Sequence, residues 1–438
     1  MTEMSVWPYQ EITFDADGDV DLRQRDLLAD MDVTDLVMFS HGWNTSRSGA
    51  ARLYSRFFQP FPALLAHAPG VRVGYAGIVW PSMRFTDEPI PDFEPHAAAA
   101  APTAPGLDPA TRAALTEVFP GRDGTVARLA VLLDERPASK EAFDTFGELV
   151  RTLVAVPSDA PTVRYAADLG ADGEPGEPWF LRGETIAVCR QFSEALIETG
   201  AKTAAPAGEG APLLGGLKLD GLWDGAKELL RQATYYAMKR RAGTVGRLGL
   251  GPVIGHLAHT SPATRVHLVG HSFGARLVAF ALRGLPGGVG TVKSVTLLQG
   301  AFSHYAFAPR LPHAPSTGGA LRDLQHRVDG PLVACYSRHD TALSVLYPLA
   351  SKLADDPQGA VHFDKKWWAV GHDGIQAVAG TPDLTLADAL RDGFPSSGCV
   401  NVDAAAVVRR GGPPSGAHSD ICHEELARVV LSAGRIGR

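Results

Sequence analysis

The stretch that most limits what this chain can become is Val266 to Phe280, V-H-L-V-G-H-S-F-G-A-R-L-V-A-F. An apolar run (Val266, Leu268, Val269) passes directly into Gly270-His271-Ser272-Phe273-Gly274, and apolar residues at helical spacing follow (Leu277, Phe280, Ala281). Strand, G-x-S-x-G, helix is the layout of a nucleophile elbow. A reversal that sharp strains the backbone at Ser272. A side chain at 270 or 274 would collide with the strand or the helix, so both positions are glycine. The turn lifts the serine oxygen clear of the sheet at a helix N-terminus, where exposed N–H groups and the dipole favour developing negative charge.

The rest of the chain alternates strand and helix patterns around this unit. Trp7–Phe14 reads as an edge strand closed by an Asp/Gly turn, followed by a short polar helix over 21–30. Asp35–Ser40, Val71–Trp80, Val292–Leu298 and Pro331–Tyr336 read as buried strands, most of them uniformly apolar, the signature of parallel strands buried on both faces. Cys399–Val408 is the last strand expected, and helices are expected over 47–66, 183–200, 223–241, 341–354 and 421–432. Alternation fails after Trp80. Residues 86–121 are rich in Pro and Ala until a helix near 109–118, further helical patterns cover 125–135 and 138–155, and Asp168–Pro178 is a second loop. Residues 203–217 read as a Gly/Pro-rich linker and 360–380 as irregular. The fold class expected is therefore α/β, a mainly parallel sheet with helices on both faces. Residues 1–83 form the first part of the core, 84–180 an insertion or cap, and 181–438 the rest of the core.

Composition narrows the function classes. With 41 Lys+Arg against 48 Asp+Glu the net charge is -7, which argues against a nucleic-acid or anionic-membrane partner. The one compact basic run, Lys239-Arg240-Arg241, reads as the solvated end of a helix. Four scattered cysteines (Cys189, Cys335, Cys399, Cys422) show no metal or disulfide spacing, so a reducing compartment is expected. No apolar run is long enough to span a membrane, and the acidic start Met1-Thr2-Glu3-Met4 leads into no signal-peptide core. The expected location is the cytoplasm.

A serine hydroxyl is a weak nucleophile until a base takes its proton and an acid holds that base in one tautomer. In elbow architectures the order along the chain is Ser, acid, His, with acid and base in loops beyond the carboxyl ends of later strands. Asp340, just after the strand L-V-A-C-Y, is the acid chosen, with Asp403 as runner-up and Asp323 and Asp329 less well placed. His418, behind Gly411-Gly412-Pro413-Pro414, is the base chosen, with His372 its rival and His423 assigned to the following helix, which Ser419 or Asp420 caps. An oxyanion hole needs two preorganised N–H groups. Phe273 supplies one as part of the elbow, and the His41-Gly42-Trp43 turn fits the second through the N–H of Trp43. His304 is a candidate to line the pocket. His256 and His259 have ligand-like spacing without a partner, and a solvated helix face is expected for them.

Taken together, Phe39-Ser40-His41-Gly42-Trp43-Asn44, Val79-Trp80-Pro81-Ser82, the Gly270–Gly274 elbow and Ala417-His418-Ser419-Asp420 resemble the α/β-hydrolase superfamily. More narrowly they are similar to bacterial lipase/esterase-like members with an H-G-W-N turn. The similarity covers roughly 31–82 and 220–432 and leaves 84–180 unassigned. It implies an α/β-hydrolase fold and a Ser272–Asp340–His418 triad, with the Trp43 and Phe273 N–H groups as the oxyanion hole. His41, Gly42, His271, Trp80 and His304 are then the candidates to contact substrate. The implied activity is hydrolysis of a small-molecule carboxylic ester through an acyl-enzyme, with no metal or organic cofactor. One departure stands out: many lipases carry a longer glycine run after His-Gly, whereas Trp43 follows at once, which bears on substrate size. A non-catalytic scaffold, or acyl transfer or amide hydrolysis by the same residues, are the alternatives.

Overall fold

A computed structural model describes residues 3–43, 45–83, 85, 106–156, 161–170, 178–198, 213–214, 217–343, 368–412 and 416–437. Ten strands occur among them: β1 Tyr9–Thr13, β2 Asp35–Ser40, β3 Val73–Val79, β4 Leu213–Leu214, β5 Leu217–Lys218, β6 Arg265–His271, β7 Val292–Leu298, β8 Pro331–Tyr336, β9 Asp383–Thr385 and β10 Gly398–Asp403. Eight of them form one sheet in the order β1-β3-β2-β6-β7-β8-β10-β9, and every pairing in it is parallel. β4 and β5 pair antiparallel as a separate short ribbon.

Side chains alternate between the faces of these strands, so each strand feeds two cores. Leu36, Met38, Ala76, Ile78, Leu268, Val295 and Leu297 lie in one. Val37, Phe39, Val73, Tyr75, Val269, Val333 and Val402 lie in the other. The helices Arg47–Phe58 and Glu424–Gly434 cover the second face, where Phe57, Phe58 and Phe61 pack edge-on and tilted with Phe39 and Tyr75. The helix after the elbow, Phe273–Gly284, covers the first and has ten buried residues in twelve, as a helix wedged between sheet and further helices must. The α/β class with helices on both faces is thus observed, and the sheet is wholly rather than mainly parallel.

Several elements differ from expectation, each for a tertiary reason. The 223–241 helix runs from Leu219 to Thr244 and continues through a π-helical turn, Val245–Leu250, into Gly251–Thr260. Glycines in this stretch mark contact rather than termination: a Cβ on Gly246 would run into the carbonyl oxygen of Leu277 on the elbow helix. The last strand ends at Asp403, because its carboxylate accepts from the Ala405 N–H at 2.9 Å and turns the chain. β9 is three residues at the sheet edge, too short to carry a periodic signal. The closing helix begins at Glu424 rather than 421. Beyond Leu343 the expected 341–354 helix lies outside the described residues, as do the Pro/Ala-rich 86–105, most of the 203–217 linker and Asn44.

Lys239-Arg240-Arg241 is not a solvated helix end. Arg241 donates to the carbonyls of Pro81 and Val118, both at 3.0 Å, and Arg240 donates to that of Val154 at 3.2 Å. The helix continues past these residues, so their head groups terminate segments of 80–156 instead of reaching water. Burial holds the Arg241 guanidinium down at about 10. The helices Asp123–Glu135, Lys140–Val154 and Thr185–Glu198 pack against Leu219–Thr244, and Pro109–Val118 packs against Asp123–Glu135. Trp223 stacks there on Phe143 at 4.3 Å. No helix among the described residues is long and apolar enough to cross a membrane.

A buried ion cluster ties these layers to the elbow. Arg276, fully buried on the elbow helix, is paired with Asp168, donates to the carbonyl of Lys239 at 2.9 Å and lies 4.1 Å over the Phe280 ring. Asp168 also takes the Lys239 ammonium at 2.7 Å and the Ser303 N–H at 3.1 Å. Removing the anion strands two cations in a dry site, which costs about 3–5 kcal/mol for a buried pair. Asp168→Ala is therefore expected to destabilise the fold by about that amount, read as the midpoint and slope of urea unfolding. Pairing it with Arg276→Met should recover part of the loss. An unchanged midpoint in the single variant would show that the cluster contributes nothing.

Candidate active site

Ser272 sits between β6 and the elbow helix with φ 57° and ψ -121°, a left-handed backbone that a residue with a Cβ rarely adopts. The flanking glycines are sterically required. A Cβ on Gly270 would strike the backbone at Gly274 and Ala275, and one on Gly274 would strike the carbonyls of Ser40 and His41. The peptide of Ser272 is held on both sides: its N–H donates to the Leu298 carbonyl at 3.1 Å, and its carbonyl accepts from the N–H groups of Ala275 at 3.1 Å and Ala301 at 3.2 Å.

His418 and Asp340 reach the serine from loops beyond β10 and β8. His418 Nε2 is 2.9 Å from Ser272 Oγ, and His418 Nδ1 is 2.7 Å from Asp340 Oδ2. A carboxylate only accepts, so Nδ1 carries the proton and Nε2 presents its lone pair to the hydroxyl. Asp340 is fully buried and does two things at once. Its second oxygen accepts from the Leu343 N–H at 3.0 Å, so the capping role expected of a residue before a helix coexists with the contact to His418. The two loops are joined directly, the Ala417 N–H donating to the His339 carbonyl at 2.9 Å.

The His41-Gly42-Trp43 turn presses against the serine: a Cβ on Gly42 would lie 2.7 Å from Ser272 Cβ. His41 is buried, its ring stacked on Trp80 at 5.5 Å and 8°, with the Trp80 indole N–H donating to the His41 carbonyl at 3.1 Å. Burial pushes His41 down to about 4, so it stays neutral. Trp43 packs its indole against Tyr235, Phe85 and Phe273, forming an aromatic wall on that side. Phe273 opens the elbow helix, whose first bonds to the Ser272 carbonyl come from Ala275 and Arg276, which leaves the Phe273 N–H outside the helical ladder.

His271 supports the site in a way its sequence position does not reveal. It is neutral, pushed down to about 3 by burial and by its neighbour His418, and its Nε2–H donates to the His418 carbonyl at 2.8 Å. It therefore fixes the loop that carries His418. His304, also buried, pairs through Nδ1 with Asp373 at 2.9 and 3.1 Å.

The runners-up lie elsewhere. Asp403 caps the end of β10, with Arg338 at 3.9 Å, and Asp329 pairs with Lys293. Asp323 precedes a short 3-10 turn. His372 stands edge-on to Trp368 at 4.5 Å and does not bond Ser272. His256 faces Asp26 at 3.7 Å on its helix. Neither Ser419 nor Asp420 caps the closing helix: His423 occupies the cap place, and Asp420 instead accepts from the N–H groups of Arg409 and Arg410 and from His423 Nε2. That carboxylate pins the start of the loop leading to His418, because the chain spends an extra turn at 417–419 before the helix begins.

Comparisons of the chain with protein-family models, with curated protein sequences and with solved structures find no match.

Proposed function

We propose that this protein is a serine hydrolase of the α/β-hydrolase fold that cleaves carboxylic esters through an acyl-enzyme intermediate. The observation that carries the reading is the continuous relay Ser272–His418–Asp340, at 2.9 and 2.7 Å, on a strained strand–helix turn at the carboxyl edge of a parallel sheet. Ser272 Oγ attacks the ester carbonyl while its proton passes to His418 Nε2. Asp340 stabilises the imidazolium that forms. The N–H groups of Phe273 and Trp43 receive the oxyanion, and collapse expels the alcohol, which takes the proton back from His418. Water then repeats the cycle on the acyl-enzyme. The test is labelling by a fluorophosphonate probe: wild type should be labelled on Ser272, and equal labelling of Ser272→Ala would remove the nucleophile from the mechanism.

His271 enters this reading as a positioning residue. His271→Phe is expected to lower kcat about 10- to 100-fold, the scale set by a displacement of about 1 Å in a catalytic group, with KM little changed. His271→Gln, which keeps a donor for the His418 carbonyl, should recover most of it. Equal losses in both variants would assign His271 to packing alone.

A further inference from the structure

Next along the chain to the main-chain groups that bond the Ser272 peptide stand polar side chains that the reaction scheme does not use. Gln299 follows β7 directly, between Leu298 and Ala301, whose main-chain groups both bond the Ser272 peptide. It has φ 48°, a conformation in which glycine would be the undemanding choice, yet it keeps a long amide side chain that is completely buried. Among the described residues neither Nε2 nor Oε1 of that amide has a hydrogen-bond partner. His304 is 2% exposed, and with Nδ1 committed to Asp373 its Nε2 is likewise buried without a partner. His372 Nδ1 is a third such atom.

These residues share one structural unit. Segment 368–376 is laced along 299–304 by four main-chain bonds: Val370 N–H to Phe302, Gly371 N–H to Gly300, His304 N–H to Trp368 and Gln376 N–H to His304, at 2.9–3.1 Å. The Ser337 N–H donates to the Gly371 carbonyl at 3.2 Å, and the Asp340 N–H to the Ser337 carbonyl at 3.1 Å, which binds the unit to the loop carrying Asp340. The unit is thus fastened to two of the three members of the relay.

A buried amide or imidazole nitrogen without a partner is costly, and such atoms on segments bonded to the Ser272 peptide and to the Asp340 loop call for a ligand group that satisfies them. An alkyl chain would leave them unpaired. Asp373 fixes the His304 proton on Nδ1, so Nε2 offers a lone pair and asks for a donor, while the Gln299 amide offers both a donor and an acceptor. A hydroxyl meets both demands. We propose that Gln299 and His304, flanked by His372, form a hydrogen-bonding subsite next to Ser272 that selects esters carrying a hydroxyl close to the scissile bond. This substrate class rests on Ser272 being the nucleophile.

The test measures binding of ethyl 3-hydroxybutyrate and ethyl butyrate to Ser272→Ala by ligand-observed NMR, and turnover of both by wild type. The hydroxy ester is expected to bind about 10- to 100-fold tighter, the factor corresponding to one or two buried polar groups gaining a partner. Gln299→Met and His304→Phe in the Ser272→Ala background should erase that preference. Equal affinity for the two esters overturns the proposal, and so does a preference that survives both substitutions. Gln299→Met should also raise Tm by about 2–4 °C, since it removes unsatisfied atoms at nearly constant volume. A lower Tm with unchanged ligand preference would assign the amide to a structural water and overturn the subsite. If His304→Phe does not fold, the two-ester comparison and Gln299→Met still decide. Selective binding of the hydroxy ester with no turnover of either ester by wild type would sink the hydrolase reading while supporting the subsite.

Discussion

His418→Ala is expected to lower kcat on an activated ester by about four to six orders of magnitude, with KM changed far less, because members of a triad act as one unit. The geometry makes the loss specific. Without the imidazole no base among the described residues bonds Ser272 Oγ, since His372 makes no bond to it and the ring of His271 is neutral and turned to the His418 carbonyl. Asp340→Asn should cost about 10⁴-fold, by forcing the wrong tautomer on an otherwise intact site. Combining Ser272→Ala with His418→Ala should be scarcely worse than either alone, whereas independent contributions would multiply. Initial rates across this set, with circular dichroism to verify folding, check the prediction. Additive losses, or a His418→Ala variant within tenfold of wild type, would dismantle the relay as the source of activity.

What the sequence disclosed follows from the range over which each interaction acts. β2, β7 and β8 have the bounds expected for them, and in β2 and β8 burial on both faces is written into the largely apolar run of the strand itself. Ser272, Asp340 and His418 are legible as a set because strand ends converge on one edge of a parallel sheet, so loop position stands in for proximity. The fates of charged residues were hidden. Arg276 interrupts an apolar helix, but its anion, Asp168, is 108 positions away in a stretch that reads as loop. Arg241 finds its acceptors 160 and 123 positions away. The glycines of 243–251 carry no local sign of the neighbours that require their small size, the elbow helix at Gly246 and Gly251, Tyr165 at Gly243, and Gly18 with Phe14 at Gly249. Gln299 gives no sign in the sequence at all, since neither its positive φ nor its lack of partners has a local signature.

Stability should fall steeply as the solution is acidified below about pH 6.5, the ordinary imidazole value. Three histidines are buried in neutral form. Burial brings His41 down to about 4 and His271 to about 3, and it also lowers His267, which bridges Ser294 and Asp35 inside the sheet at 2.9 Å each. Each therefore has a folded pKa below its unfolded one. As pH drops through 6.5 the unfolded chain takes up three protons that the native chain refuses, and linkage then favours unfolding. His41 and His271 each contribute up to about 1.4 kcal/mol per pH unit, so these two give about 3 kcal/mol per unit until His41 itself titrates, and His267 adds to the slope in the same direction. Asp35 acts later. Burial opposes its charge, but hydrogen bonds from His267 and Thr34 and the nearby Arg265 outweigh that and hold its carboxyl below the usual range. Its contribution is therefore intact above about pH 4 and is lost only beneath it. Above pH 7 none of these groups changes protonation, and stability should be flat with respect to them. Urea midpoints at pH 7.5, 6.5, 5.5 and 5.0 measure the slope, and His41→Phe, which keeps an aromatic ring against Trp80, should flatten it by about a third to a half. Equal midpoints at pH 7.5 and 5.0 would mean that water reaches these rings and that the core around the elbow is far more open than their burial indicates.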